Sequence, residues 1–322
     1  MAKIKLLEDA SQKPATRTFT DATPLLDDPE KLRATAKDKG YLFFRQFLPP
    51  ELVLNLRREI LAVIDRHGLL DRSKPFMEGY TDAGAVDKLG DGEVNWYGTG
   101  VPRDVYLEVQ KLESFHALAH EPKLIRLYET LFEERVLPHP RNIARAMIPS
   151  RALHPTPTHQ DYIHVQGDVN TWTCWVPLGD VPAALGGLSI LEESYKSGLL
   201  GVAANPGPGG LESIVCGMGY EWAEGDYKAG DIITFHSLTV HKALPNRIPG
   251  KIRLSVDLRY QPVSRPIERG ALEPHLGAPG GFTWEDLYRH WTRKDLQFYW
   301  KNENLQLVDF DESIRWQKEK IC

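Results

Sequence analysis

From Asn142 onward the chain is broken every few residues by Gly, Pro or Asp, and short β-like runs stand between the breaks. The clearest are Ile143–Ile148, Thr171–Leu178, Leu188–Leu191, Ile232–Phe235 and Ile252–Tyr260. Runs this short cannot make long helices. Rich in β-branched and aromatic residues, they predict strands that pair into a sandwich or a barrel. The residues before Asn142 carry a different pattern. Asp28-Pro29-Glu30 puts a proline where a helix can begin, and Leu52, Leu56, Ile60 and Ile64 recur at helical spacing after Pro49-Pro50. Leu112 to Leu131 also predicts a helix, and Gly40-Tyr41-Leu42-Phe43-Phe44 a strand. Helices first and strands after give an α+β chain with a mainly β core.

The rest of the chain fits around one core. Residues 1–27 are polar and predict a flexible N-terminal arm, with 28–322 as a single domain. Met77–Pro102 is rich in Gly and Asp and holds Trp96-Tyr97; a segment of this kind is expected to be a lid or binding loop inserted at the site's entrance. After Pro274 comes a helical tail carrying Trp284, Leu287, Trp291, Phe298, Trp300 and Trp316, expected to pack outside the core or to join a homo-oligomer.

Charge and cysteine content narrow the partners. Lys and Arg total 39 against 44 Asp and Glu, a net charge of -5. Bulk charge therefore argues against nucleic acid and anionic membrane surfaces, while a local basic pocket for a small anion stays open. No apolar run is long enough to span a bilayer, and Met1 to Pro14 lacks the apolar core of a secretory signal. Cys174, Cys216 and Cys322 form no CxxC pair, so neither a disulfide framework nor a zinc finger is expected, and a reducing, cytoplasmic setting is.

The chemistry concentrates in three places. In extended backbone, residues two apart share a face, so His159-Gln160-Asp161 offers an imidazole and a carboxylate to one point. His241 follows a Gly-Asp turn and the run Ile232–Phe235. Two histidines and one carboxylate can hold iron(II) on one face of an octahedron, leaving three positions for co-substrate and O₂. His236 is an alternative third ligand; His154 and His164 lie close to the motif and are expected to be structural, with His164 the one that could line the cavity. The segment Ile252–Arg259 alternates strictly: Ile252, Leu254, Val256 and Leu258 form one face, Arg253, Ser255, Asp257 and Arg259 the other. If the polar face lines a cavity, Arg253 presents a fork matched to a carboxylate, with the Ser255 hydroxyl beside it. The distal carboxylate of 2-oxoglutarate needs such a holder.

With these residues in place, the sequence from about 35 to 262 resembles the phytanoyl-CoA dioxygenase family of iron(II)/2-oxoglutarate oxygenases. Gly40–Leu48, His159-Gln160-Asp161, Thr173–Leu178, Gly186–Leu191, His241, Pro245-Asn246 and Arg253-Leu254-Ser255 carry the resemblance. It implies a double-stranded β-helix (jelly-roll) core flanked by helices. It implies His159, Asp161 and His241 as iron ligands, Arg253 assisted by Ser255 as the 2-oxoglutarate anchor, and Trp175 at the co-substrate pocket. The implied reaction hydroxylates, desaturates or cyclises a small organic molecule as 2-oxoglutarate becomes succinate. Asp161 stands where related halogenases carry a small residue, which disfavours halogenation. Glu192–Tyr195 and Lys242-Ala243 depart from the family's usual residues and are expected to reshape a pocket. The competing readings are a non-catalytic jelly-roll binding module and a cupin-like metalloenzyme without 2-oxoglutarate; neither needs a buried Arg-x-Ser after the second histidine.

Overall fold

The computed structural model describes residues 16–150, 154–205, 207–215 and 219–316. Residues 1–15, Cys216, Cys322 and the side chain of Trp316 lie outside that description.

In chain order the strands are β1 (Thr16–Thr18), β2 (Tyr41–Phe44), β3 (Val136–Pro138), β4 (Ile143–Met147), β5 (Trp172–Pro177), β6 (Leu188–Leu191) and β7 (Val202–Ala204). There follow β8 (Leu211–Ser213), β9 (Trp222–Glu224), β10 (Ile232–His236), β11 (His241–Ala243), β12 (Arg253–Pro262), β13 (Ile267–Glu268) and β14 (Leu307–Val308). One sheet runs β1-β9-β6-β11 and the other β2-β10-β5-β12-β3, with β4 also on β12. The fold is thus helices and sheets with a mainly β, jelly-roll-like core. The sheets stay separate, so the expected barrel is an open sandwich.

The six-stranded sheet is buried on both faces, and its alternation shows how. Tyr41, Phe43, Trp175, Ile233 and Phe235 point toward the smaller sheet and pack with Leu188, Ile190 and Ala223. Leu42, Phe44, Cys174, Val176, Ile232, Leu254, Val256 and Leu258 point the other way, under Leu32, Leu56, Ile60, Val105 and Leu124 of the helices. Each such side chain contributes about 1.5–3 kcal/mol on burial. The apolar face of β12 is therefore held by the helices, and its polar face turns inward between the sheets. Arg253, Ser255, Asp257 and Arg259 are all buried.

The helix Pro29–Lys39 starts as its sequence predicts, with Asp28 accepting from the Lys31 amide at 3.1 Å, and ends at Gly40 with φ 73°. Pro50–Arg66 forms as one helix. The helix expected over Leu112 to Leu131 does not: Glu113–Ala117, a turn over Leu118–His120 and Pro122–Phe132 replace it. Pro122 is the reason, because it forces Glu121 into extended backbone (φ -57°, ψ 126°).

Other expectations also shift. The described part of the N-terminal arm is bound: β1 pairs in parallel with β9, Ala22 is buried and Phe19 packs on Tyr41, Phe43 and Tyr227. The segment 77–102 is built of short helical turns with Val86, Val94 and Val101 buried. In the described part of the tail α-helix is limited to the short segments Gly277–Gly280 and Trp284–Tyr288, followed by 3-10 turns. Its Trp284, Trp291 and Trp300 pack with Leu137, Val165 and Ile267 of the same chain.

Candidate metal centre

His159 and His241 come together through the backbone. Each donates its amide N–H to the other's carbonyl at 2.9 Å, an isolated bridge that brings the imidazoles to 4.1 Å between centroids. Gln160 is extended (φ -111°, ψ 133°), so its side chain turns away and Asp161 returns to the His159 side. Asp161 is not on a strand, as the H-x-D pattern suggested, but opens a 3-10 turn over Asp161–Ile163. Asp161 Oδ1 lies 3.5 Å from His159 Nε2 and 3.7 Å from His241 Nε2. The three donor atoms all fall within 4.8 Å of one another.

The surrounding hydrogen bonds aim these donors. His159 Nδ1 lies 2.8 Å from the Pro157 carbonyl, and His241 Nδ1 lies 3.0 Å from that of Thr239. A carbonyl can only accept, so both Nδ1 atoms carry the proton and both Nε2 lone pairs face the shared point. On the carboxylate, Oδ2 accepts from the Thr173 hydroxyl and from Arg259 Nη2 at 3.1 Å. Thr173 and Arg259 are direct cross-strand partners on β5 and β12. With Oδ2 so occupied, Oδ1 is left for an ion.

The electrostatics agree with this division. Burial pushes the Asp161 carboxyl up, but Arg259, His159 and His241 outweigh it and hold it well below the usual carboxylate range. Burial, with His159 beside it, holds His241 down at about 3, so it is neutral and ready to ligate at neutral pH. The set of two imidazoles presenting Nε2 and one carboxylate oxygen, each with its backing hydrogen bonds already made, fits a divalent first-row metal such as iron(II).

A cleft with about 430 Å³ of empty space, part of it open to solvent, runs from these residues to Arg253. Trp175 lines it, with the Arg253 guanidinium 5.7 Å from its ring. Arg253 Nη1 donates to Ser255 Oγ at 2.8 Å. Among the described residues no carboxylate forms an ion pair with Arg253, although it is 4% exposed. Burial lowers its guanidinium to about 10. A buried cation without a counter-ion is costly, and a bound anion would relieve the cost.

Five of the six residues singled out from the sequence, His159, Asp161, His241, Trp175 and Arg253, thus line one cavity, and Ser255 joins them through its hydrogen bond to Arg253. His164 lines its outer part, while His236 does not approach it: it packs on Trp172 and Tyr195. The two family departures lie off the cavity, apart from Ala243. Glu192 binds Tyr41 and Lys39, Tyr195 reaches the Lys37 carbonyl, and Lys242 covers the Trp222 ring. Sequence reasoning missed Thr173 and Arg259. The alternation that turned Arg253 inward carried the signal for Arg259, six residues along the same face.

Residues 36–254 match the family model described as Phytanoyl-CoA dioxygenase (PhyH). Two curated relatives are 1-deoxypentalenic acid 11-beta-hydroxylases, from Streptomyces exfoliatus and Streptomyces arenae. Each is 26% identical and spans 80% of this chain and 89% of its own. Among solved structures, the epimerase SnoN in complex with Fe3+, alpha ketoglutarate and nogalamycin RO aligns with a TM-score of 0.52 at 18% identity. That alignment covers 75% of this chain and 86% of SnoN, and it supports the fold.

Proposed function

The chain belongs to the phytanoyl-CoA dioxygenase family, and from that premise we propose that it is an iron(II)- and 2-oxoglutarate-dependent dioxygenase that hydroxylates a small organic molecule. The observation that carries this reading is one cavity with the His159, Asp161 and His241 donors at one end and the unpaired Arg253 at the other.

His159 Nε2, Asp161 Oδ1 and His241 Nε2 would hold the iron. Arg253, with Ser255 steadying its Nη1, would bind the distal carboxylate of 2-oxoglutarate. Trp175 fills the wall beside it and limits the co-substrate's freedom. Thr173 and Arg259 occupy Asp161 Oδ2, which would leave Oδ1 to the iron. When bound, iron with 2-oxoglutarate supplies O₂ activation coupled to decarboxylation to succinate, and the oxidising equivalent goes into a substrate C–H bond. The curated relatives are named hydroxylases, which favours hydroxylation over desaturation or cyclisation. The same reading has residues 28–322 acting as one domain, with the 77–102 segment over the entrance and the enzyme in the cytoplasm.

A binding module or a metalloenzyme without 2-oxoglutarate leaves Arg253 unexplained. The test is an anaerobic visible spectrum of the iron(II) protein with and without 2-oxoglutarate. A weak charge-transfer band requiring both, absent in His241→Ala, is expected. No band with iron bound would remove 2-oxoglutarate from the reading; no metal binding would leave the binding module.

A further inference from the structure

On the open side of the triad the cavity widens into a second chamber of about 880 Å³, part of it open to solvent. The two chambers share Arg145, Thr156, His159, Asp161 and Arg259, so they meet at the metal donors. Among the described residues four guanidinium groups face this second chamber, from Arg141, Arg145, Arg259 and Arg315, and Asp161 is the sole acidic residue in its wall. They come from distant parts of the chain, so the charge is invisible in the overall balance of -5.

Three of them each have one carboxylate partner, and Arg141 has none among the described residues. Arg145 binds Asp257 at 3.3 Å and the Gly98 carbonyl at 2.9 Å. Arg315 pairs with Glu312 at 3.4 Å. Arg141 donates only to the Gly270 carbonyl, and among the described residues no carboxylate pairs with it. Arg259 is 5% exposed and gives Nη2 to Asp161, while its Nε and Nη1 are buried without any partner. The Asp161 charge would itself be shared with a bound metal. Burial, and then Arg259, lowers the Arg141 guanidinium. Gathering like charges in a half-buried wall opposes folding. The missing counter-charge belongs to a ligand. The rest of the wall includes Ile143, Val165 and Leu276, suited to an apolar body.

We infer that the substrate is a free organic acid with a compact apolar body, whose carboxylate sits on Arg259 and Arg141 inside the second chamber. This rests on the oxygenase reading and names the substrate class for that site. It also departs from the thioester in the family's name, since a thioester brings no carboxylate to these arginines.

The experiment uses protein loaded with redox-silent manganese(II) and saturating 2-oxoglutarate, so that Arg253 is already occupied. Decanoic acid, cyclohexanecarboxylic acid and 1-deoxypentalenic acid are titrated calorimetrically beside their methyl esters and decanoyl-CoA. At least one acid is expected to bind about tenfold more tightly than its ester. Arg259→Gln and Arg141→Gln should each erase that preference, and Arg141→Gln should leave 2-oxoglutarate affinity unchanged. The inference is overturned if no acid binds at millimolar concentration, if acids and esters bind alike, or if decanoyl-CoA binds more tightly than decanoate. Failure of 2-oxoglutarate to bind would sink the oxygenase reading instead, and the acid–ester comparison on the metal-loaded protein would still decide the substrate class.

Discussion

Replacing Arg253 by Met separates what this residue does for the fold from what it does for a ligand. In the free protein Arg253 is a buried cation with one neutral hydrogen bond, to Ser255, and a guanidinium lowered to about 10 by burial. The folded state therefore disfavours a charge that the unfolded chain keeps over the whole working range of pH, and the penalty, roughly 3 kcal/mol in order of magnitude, applies wherever the pH is below about 10. Met fills a similar volume without the charge, so the ligand-free variant should be as stable as the wild type, or about 1–3 kcal/mol more stable. Binding goes the other way. Losing one partner of a buried charge pair costs about 2–5 kcal/mol. At about 1.4 kcal/mol per decade, a loss of about 3 kcal/mol weakens 2-oxoglutarate more than a hundredfold. The assay is urea unfolding of the manganese-loaded protein, with and without 2-oxoglutarate. The wild type should be stabilised by the co-substrate and the variant should not, from an equal or higher baseline. A variant that binds 2-oxoglutarate within about threefold of wild type, or that loses about 2 kcal/mol without ligand, would refute the assignment.

Thr173→Val removes the hydroxyl that donates to Asp161 Oδ2 and keeps the shape, so metal affinity should fall about tenfold while the fold persists. A manganese(II) titration followed by electron paramagnetic resonance measures it, and an unchanged dissociation constant would show Arg259 alone suffices. Stability should also fall with acid. Burial holds His116 at about 4 and His139 at about 3, both below the 6.5 of an exposed histidine. Their depressed values make the neutral forms native, so stability is complete above about pH 6.5 and lost as pH falls toward 4. Between pH 7 and pH 5 each should cost about 2 kcal/mol. Urea midpoints that stay flat across that range would count against their burial as neutral groups.

The site was legible where short-range geometry decides it. Period-two spacing relates His159 to Asp161 and Arg253 to Ser255 whatever the rest of the chain does, and both relations hold in space. The strand spacing around Ile232 and Ile252 predicted sheets for the same reason. What long-range packing decides was not legible. The Arg259 contact with Asp161 depends on the pairing of β12 with β5, and the basic chamber on Arg141, Arg145, Arg259 and Arg315 meeting from three distant segments. Trp96 illustrates the opposite error. It packs against the main core beside Tyr106, and Tyr97, at φ 46° and 64% exposed, is the ring that lines the chamber. The Pro122 break was readable but was overridden by the apolar pattern around it.

Because Arg253, Ser255, Asp257 and Arg259 hang from a single strand gripped from behind by the helices, β12 works as a ruler. Inserting or deleting one residue between Arg253 and Arg259 would turn one arginine into the hydrocarbon layer, so length changes here can survive only in pairs. A pair would move the two arginines by about 6–7 Å, far more than one carbon of a ligand chain. The reach between the co-substrate anchor and the second chamber is thus set in coarse steps, and a change of ligand length must be absorbed elsewhere, in the loops that border the chambers.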